Sequence, residues 1–240
     1  NQKYLEGKGQ GGSSITAGYA LRALEVGGHK PDDTTAAVAS YLLQIQTKSD
    51  HWSHPGNRPP TSGSDFTTTA PALRGLIAFG TEEQQAAIDS RVEVVRQWLA
   101  KTEPKDTEDR VFKVVALDTA DCDDELMKGS ITKLLGTQHE DGGWSQTDEM
   151  ESDAYSTGTV VTTLLQTDRK LLHGEQLRKE YLFMIDTQCD DVSWHVVTRA
   201  KAFQDYYDSG FPHEEDQFIS IAASCWATMA LALALPEPDE

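Results

Sequence analysis

Carboxylates crowd this chain in places where they could do acid–base work. "DCDD", Asp121 to Asp124, packs three acids into four residues. Neighbouring carboxylates and partial burial keep one member of such a set protonated, as a general acid must be. "PDDTTAAV", Pro31 to Val38, holds a second acidic pair. "HWSH" offers His51 and His54 as metal ligands, but that spacing alone is weak evidence for a metal, and Pro55, Pro59 and Pro60 beside it describe a rigid surface loop. "QHEDGGW", Gln138 to Trp144, fits either a catalytic loop or a structural corner.

Recurrence decides the last case. Gln46 to Trp52 ("QTKSDHW") and Gln188 to Trp194 ("QCDDVSW") repeat the spacing of Gln138 to Trp144, where chance gives about 0.3 such pairs. A weaker copy follows "WLAKTE", with Glu103 at the Gln position and Asp109 at the Trp position. A motif used three or four times marks corners better than one active site. A second repeat alternates with it: Asp65, Asp109, Asp153 and Asp216 share a column, each opening an apolar segment of helical length, with Ser13 in the same place earlier. A carboxylate there accepts bonds from free N–H groups and meets the positive end of the helix dipole. The acids of "DCDD" and "PDDTTAAV" read the same way, as N-terminal clusters of the helices that follow them.

The unit is therefore helix, turn, helix, loop, and nine helices are expected. Five begin near Ser13, Thr68, Asp109, Asp153 and Asp216, and four end near Gln46, Glu103, Gln138 and Gln188. Gly27 and Gly28 close the first, and Thr81 to Gln84 form a capping box. Pro71 would break a helix already running from Asp65, so that helix is expected to start late, capped by Thr68 or Thr69. Alternating β-branched runs are few, and 240 residues can bury one large core. The expected organisation is a flexible lead over 1–12, one domain over 13–235 and an acidic tail over 236–240.

A formal charge of -18 without a basic stripe argues against nucleic acid as a partner. Cys122, Cys189 and Cys225 are too few and scattered for a disulfide framework. "FISIAASCWATMALALAL", Phe218 to Leu235, lies at the lower length limit for a membrane span. Its acidic flanks and its Ala and Ser content favour a buried helix of the array over a transmembrane segment. No secretory leader is visible from Asn1 onward, which fits a processed or partial chain and leaves the compartment open.

The Gln-to-Trp loops, with "YYDSGFPHEEDQFISIAASCWATMALAL" near the end, resemble squalene-hopene and oxidosqualene cyclases. The resemblance runs from about Ser13 to Leu235 and implies an all-α fold, an α/α toroid of inner and outer helices around an apolar cavity, here short of a full ring. It makes "QHEDGGW" an outer-to-inner corner. Cyclases of this kind protonate their substrate with D-x-D-D followed by T-A. "DFTTTA", Asp65 to Ala70, falls in that place and keeps only the first acid, with Thr67 and Thr68 at the second and third. A threonine hydroxyl cannot protonate an alkene. Prenyltransferase β subunits, the other enzymatic branch, bind zinc through Asp, Cys and His, and "DQFIS", Asp216 to Ser220, lacks the His of their pattern. The thioester motif of complement-type relatives is absent.

No cofactor and no metal are expected from these residues. The implied partners are an apolar, isoprenoid- or lipid-like small molecule, another protein domain, or a second copy of the chain. Phe66, Thr67, Tyr155, Phe218 and Phe211 are the expected ligand-facing side chains, and Asp65, Asp153 and Asp123 the weak candidate acids. The alternative is an isoprenoid cyclase using one of those acids in place of the motif. The stretch from His195 to Glu215, with Phe203, Tyr206, Tyr207 and Phe211, is longer than a connector needs and is a further place for function.

Overall fold

Helix-start and helix-stop chemistry sets the element order in the computed structural model, which describes residues 1–46, 49–53, 56, 58–168, 170–171, 174–202 and 205–235. His54, Pro55, Phe203 and the tail 236–240 lie outside the described residues. The helices are α1 (Gln2–Leu5), α2 (Ser13–Val26), α3 (Asp33–Ile45), α4 (Asp65–Phe79), α5 (Gln85–Lys101), α6 (Thr107–Thr119), α7 (Asp124–Leu135), α8 (Ala154–Thr167), α9 (Gly174–Asp186) and α10 (Gln217–Ala234). Among the described residues there is no β-strand, only two isolated bridges, so the protein is all-α. Within the span expected to lead flexibly into the first helix, α1 sets Tyr4 edge-on to Tyr41 of α3, ring centroids 5.4 Å apart.

Local capping accounts for most starts. Asp32 accepts from the backbone N–H groups of Thr34 and Thr35 in a capping box, Thr81 and Gln84 form another, and Asp153 takes the Ser156 N–H at 2.8 Å. The shared Asp column is less uniform than expected. Ser64, not Asp65, caps α4. Asp106 accepts from Asp109 N–H at the start of α6. Asp216 accepts from Thr198 N–H rather than from its own helix.

Residues four positions after that column carry a rule that residue types alone did not expose. Thr69 accepts from Trp52 N–H and donates back to the Trp52 carbonyl, at 3.1 and 3.0 Å. Thr157 does the same with Trp144 at 2.9 and 3.5 Å. Ser220 does so with Val196 at 3.1 and 3.4 Å. Each hydroxyl clasps the incoming loop onto a helix, so the side chain satisfies backbone groups that would otherwise be buried unpaired.

α4 corrects the expectation of a late start: it runs from Asp65 straight through Pro71. The cost of the lost N–H is offset by packing, since nearly every residue from Phe66 to Leu76 is buried. α2 approaches so closely that a Cβ on Gly18 would sit 2.7 Å from the Ala72 nitrogen and 3.0 Å from the Pro71 carbonyl carbon.

The chain divides into two compact units. One comprises Asn1–Pro104 and Phe112–Lys128, the other Lys105–Val111 and Gly129–Glu240, with α6 and α7 contributing to both. In the first unit α2 pairs with α4 and α3 packs beside both. In the second, α8 pairs with α10 through Gly158, where a Cβ would meet the Ala227 nitrogen at 2.7 Å. α10 is less buried than its composition led us to expect. The stretch Glu214–Leu233 is long and apolar enough to cross a membrane, and a third of its most apolar window is buried. Phe218, Cys225 and Met229 lie exposed along one face.

The corner after α7 includes a group with a clear pH signature. Glu180 on α9 accepts from the Gln138 amide at 3.1 Å through Oε1, while its buried Oε2 has no hydrogen-bond partner among the described residues. Burial pushes the carboxyl up to about 7, opposed by the Gln138 bond. The native state then holds a proton that an unfolded Glu has already lost, so stability falls as pH rises from the unfolded value toward 7, by up to about 3 kcal/mol. Glu180→Gln mimics the protonated acid. We expect it to flatten this slope and to exceed the parent at about pH 8 in urea melts; an unchanged slope would place the titration elsewhere.

Candidate functional site

The tryptophan corners are built alike. Trp52, Trp144 and Trp194 donate from Nε1 to the carbonyls of Leu42, Leu134 and Met184, each ten residues earlier, at 3.0, 3.1 and 2.7 Å. Buried indole N–H groups need such a partner, and each bond ties a loop to the last turns of the preceding helix. Gln138 and Gln188 donate their amides to the carbonyls of Gly142 and Val192, both at 3.0 Å. These loops brace helix ends.

The candidate acids are mostly occupied in the same way. Asp123 is exposed and accepts from Glu125 and Leu126 N–H groups at the start of α7. Asp65 is exposed and pairs with His51 Nε2 at 3.2 Å, while the His51 ring stacks on Trp98. Thr67 and Thr68 both donate to the Ser64 carbonyl, at 2.9 and 3.1 Å. Phe66 is buried against Trp98, ring centroids 4.6 Å apart. Asp153 caps α8; burial raises its carboxyl, opposed by bonds from Ser156 and Gln146. Asp65, Phe66 and Thr67 thus lie together in the first unit, whereas Asp153, Tyr155, Phe211 and Phe218 belong to the second.

The second unit contains a buried polar network that residue types alone did not single out. Glu108 is 3% exposed, and the Tyr155 hydroxyl lies 3.0 and 3.1 Å from its two carboxyl oxygens. Burial drives this carboxyl well above its ordinary range; Tyr155 opposes the shift, and Asp106 and Asp109 add to it. Asp106 pairs with Arg199 at 3.0 Å, and Arg199 donates to Gln146 at 2.9 Å. The result is a buried carboxyl whose proton is favoured by burial, set beside a phenol. "EDRV" looked like helix-start acids, and no local signal says that Glu108 faces inward.

A third constellation lies where the Gln188–Trp194 corner meets the long loop after it. Ser193 donates to Asp191 at 2.6 Å, and its Oγ is 2.7 Å from His213 Nε2. Bonds from the Ser193 hydroxyl and N–H hold the Asp191 carboxyl below its usual range. His213 stacks on His195 at 4.7 Å, and His195 Nε2 reaches Asp216 at 2.8 Å. Phe211 is half-buried, its ring 6.3 Å from that of His213, while Phe218, Tyr206 and Tyr207 are exposed. An open surface dent in the first unit is lined by Arg96, Gln97, Ala100, Asp121, Cys122, Asp123 and Leu126, and so includes part of "DCDD".

A comparison with protein-family models and with curated proteins finds no match for this chain. The class that the fold defines is an all-α protein whose tryptophan corners brace helix ends.

Proposed function

We propose that this chain is a cyclase-like array of helical hairpins, the inner and outer helices of an α/α toroid, that binds an apolar ligand or another protein domain and does not protonate an alkene. The observation that carries this reading is the use made of "DFTTTA". Thr67 and Thr68 spend their hydroxyls on the Ser64 carbonyl, and Asp65 faces solvent beside His51. A general acid must be acidic and shielded from water; the threonine hydroxyls are not acidic and Asp65 is exposed. The exposed apolar face of α10 around Phe218 and Met229 is the surface we assign to the ligand or partner.

The test is incubation with squalene and oxidosqualene. We expect no cyclic product, and Asp65→Asn to change stability alone. Glu108 favours a second reading, an isomerase with a non-standard acid, because burial raises its carboxyl well above the ordinary range, against the Tyr155 bond. Cyclic product that vanishes in Glu108→Gln would establish that reading; product that vanishes in Asp65→Asn would return the acid to the motif position.

A further inference from the structure

Among the described residues, one trio of side chains able to ligate a metal brings its donor atoms within 4.8 Å of one another: Cys189, Asp191 and His213. Two of the three belong to the corner loop, and the third arrives from the loop that follows it. None is at the positions from Asp216 to Ser220, where the prenyltransferase pattern would look for its His.

The earlier corner is an internal control, because its backbone is wired identically. His139 N–H bonds the Gly143 carbonyl at 3.0 Å as Cys189 N–H bonds that of Ser193 at 2.9 Å, and Gly142 N–H bonds His139 as Val192 N–H bonds Cys189. Asp141 and Asp191 accept from the N–H two residues on, at 2.9 and 3.0 Å. In both loops a serine hydroxyl links that Asp to an imidazole. Ser152 joins Asp141 to His139, and Ser193 joins Asp191 to His213. The second loop therefore keeps the Asp–Ser–His linkage, recruits its imidazole from outside, and places a thiol where the first has His139. Gly142 at φ 89° becomes Val192 at φ 65°. A branched residue in the left-handed region is costly, so the later loop holds the turn geometry against its own local preference.

We propose that Cys189, Asp191 and His213 form a binding site for a divalent zinc ion. A thiolate, an imidazole and a carboxylate are the donor set zinc takes, with bonds of about 2.0–2.3 Å, and three protein ligands leave a fourth position for water or a ligand. Tetrahedral bonds of that length set donors about 3.3–3.8 Å apart, so side-chain rotation closes the remaining gap. Binding releases the Cys189 thiol proton and takes the His213 ring nitrogen in its neutral form. Outer support is present: His195 stacks on His213 and is itself fixed by Asp216, and Ser193 stays bonded to Asp191. The site goes beyond the binding reading above and does not depend on it.

The experiment is titration of the untagged, chelator-stripped chain with cobalt(II), followed by displacement with zinc(II). We expect one equivalent, a thiolate-to-cobalt charge-transfer band, and competition by zinc. Cys189→Ser removes the band, and both Cys189→Ser and His213→Asn weaken zinc by about 100-fold or more. Both variants should fold, since the first loop accepts another residue at the Cys189 position and Asn tolerates the left-handed backbone of His213 at φ 80°. Far-UV circular dichroism checks this. Cys122→Ser and Cys225→Ser leave binding unchanged. Absence of the band, its survival in Cys189→Ser, its loss in either control, or zinc affinity indifferent to His213 would overturn the proposal.

Discussion

Trp144→Ala is expected to destabilise the protein by about 3 kcal/mol or more. The indole is fully buried, donates to the Leu134 carbonyl at 3.1 Å, and belongs to a residue whose backbone N–H and carbonyl are both clasped by Thr157. Truncation opens a cavity between helix end and loop, and it removes the indole bond to the Leu134 carbonyl, which keeps only Thr137 as its local donor. Trp144→Phe separates the two terms, because it keeps most of the apolar volume and deletes only the N–H. We expect it to fall between the parent and the alanine variant. Urea melts followed by circular dichroism measure both; a loss below about 1 kcal/mol for Trp144→Ala would place it among ordinary surface changes and remove the corner from the core.

Gly158→Leu is expected to cost about as much for the opposite reason, overpacking. A Cβ at this position meets the Ala227 nitrogen at 2.7 Å and the Trp226 carbonyl carbon at 2.8 Å, and helix backbone cannot swing aside as a side chain could. α8 and α10 must separate. Gly158→Ala decides the argument by sign: in a solvent-facing helix the change stabilises by about 1 kcal/mol, so a loss reports the contact. A gain would mean that the two helices have room to part.

The two variants probe different kinds of information. The helices were legible in the sequence, because capping residues and the Gln-to-Trp spacing act over a few residues and repeat. All nine expected helices appear, with their ends near the expected places. Where a neighbour in sequence was the best cap, as for Asp32 and Asp153, the residue type sufficed.

Tertiary structure decided the rest. Pro71 stays inside α4 because burial against α2 outweighs a lost hydrogen bond, a balance invisible along the chain. The Glu108 carboxyl is pushed well above its ordinary range because the fold removes its water; the same residue on a solvated helix start would titrate as an ordinary carboxylate. Cys189 and Asp191 read as loop residues until His213 is brought to them by a loop whose course no local periodicity encodes. Secondary structure follows from interactions spanning about one helical turn, which the sequence states directly. Sites form where segments distant in sequence meet, and that meeting is fixed by the sum of packing over whole helices.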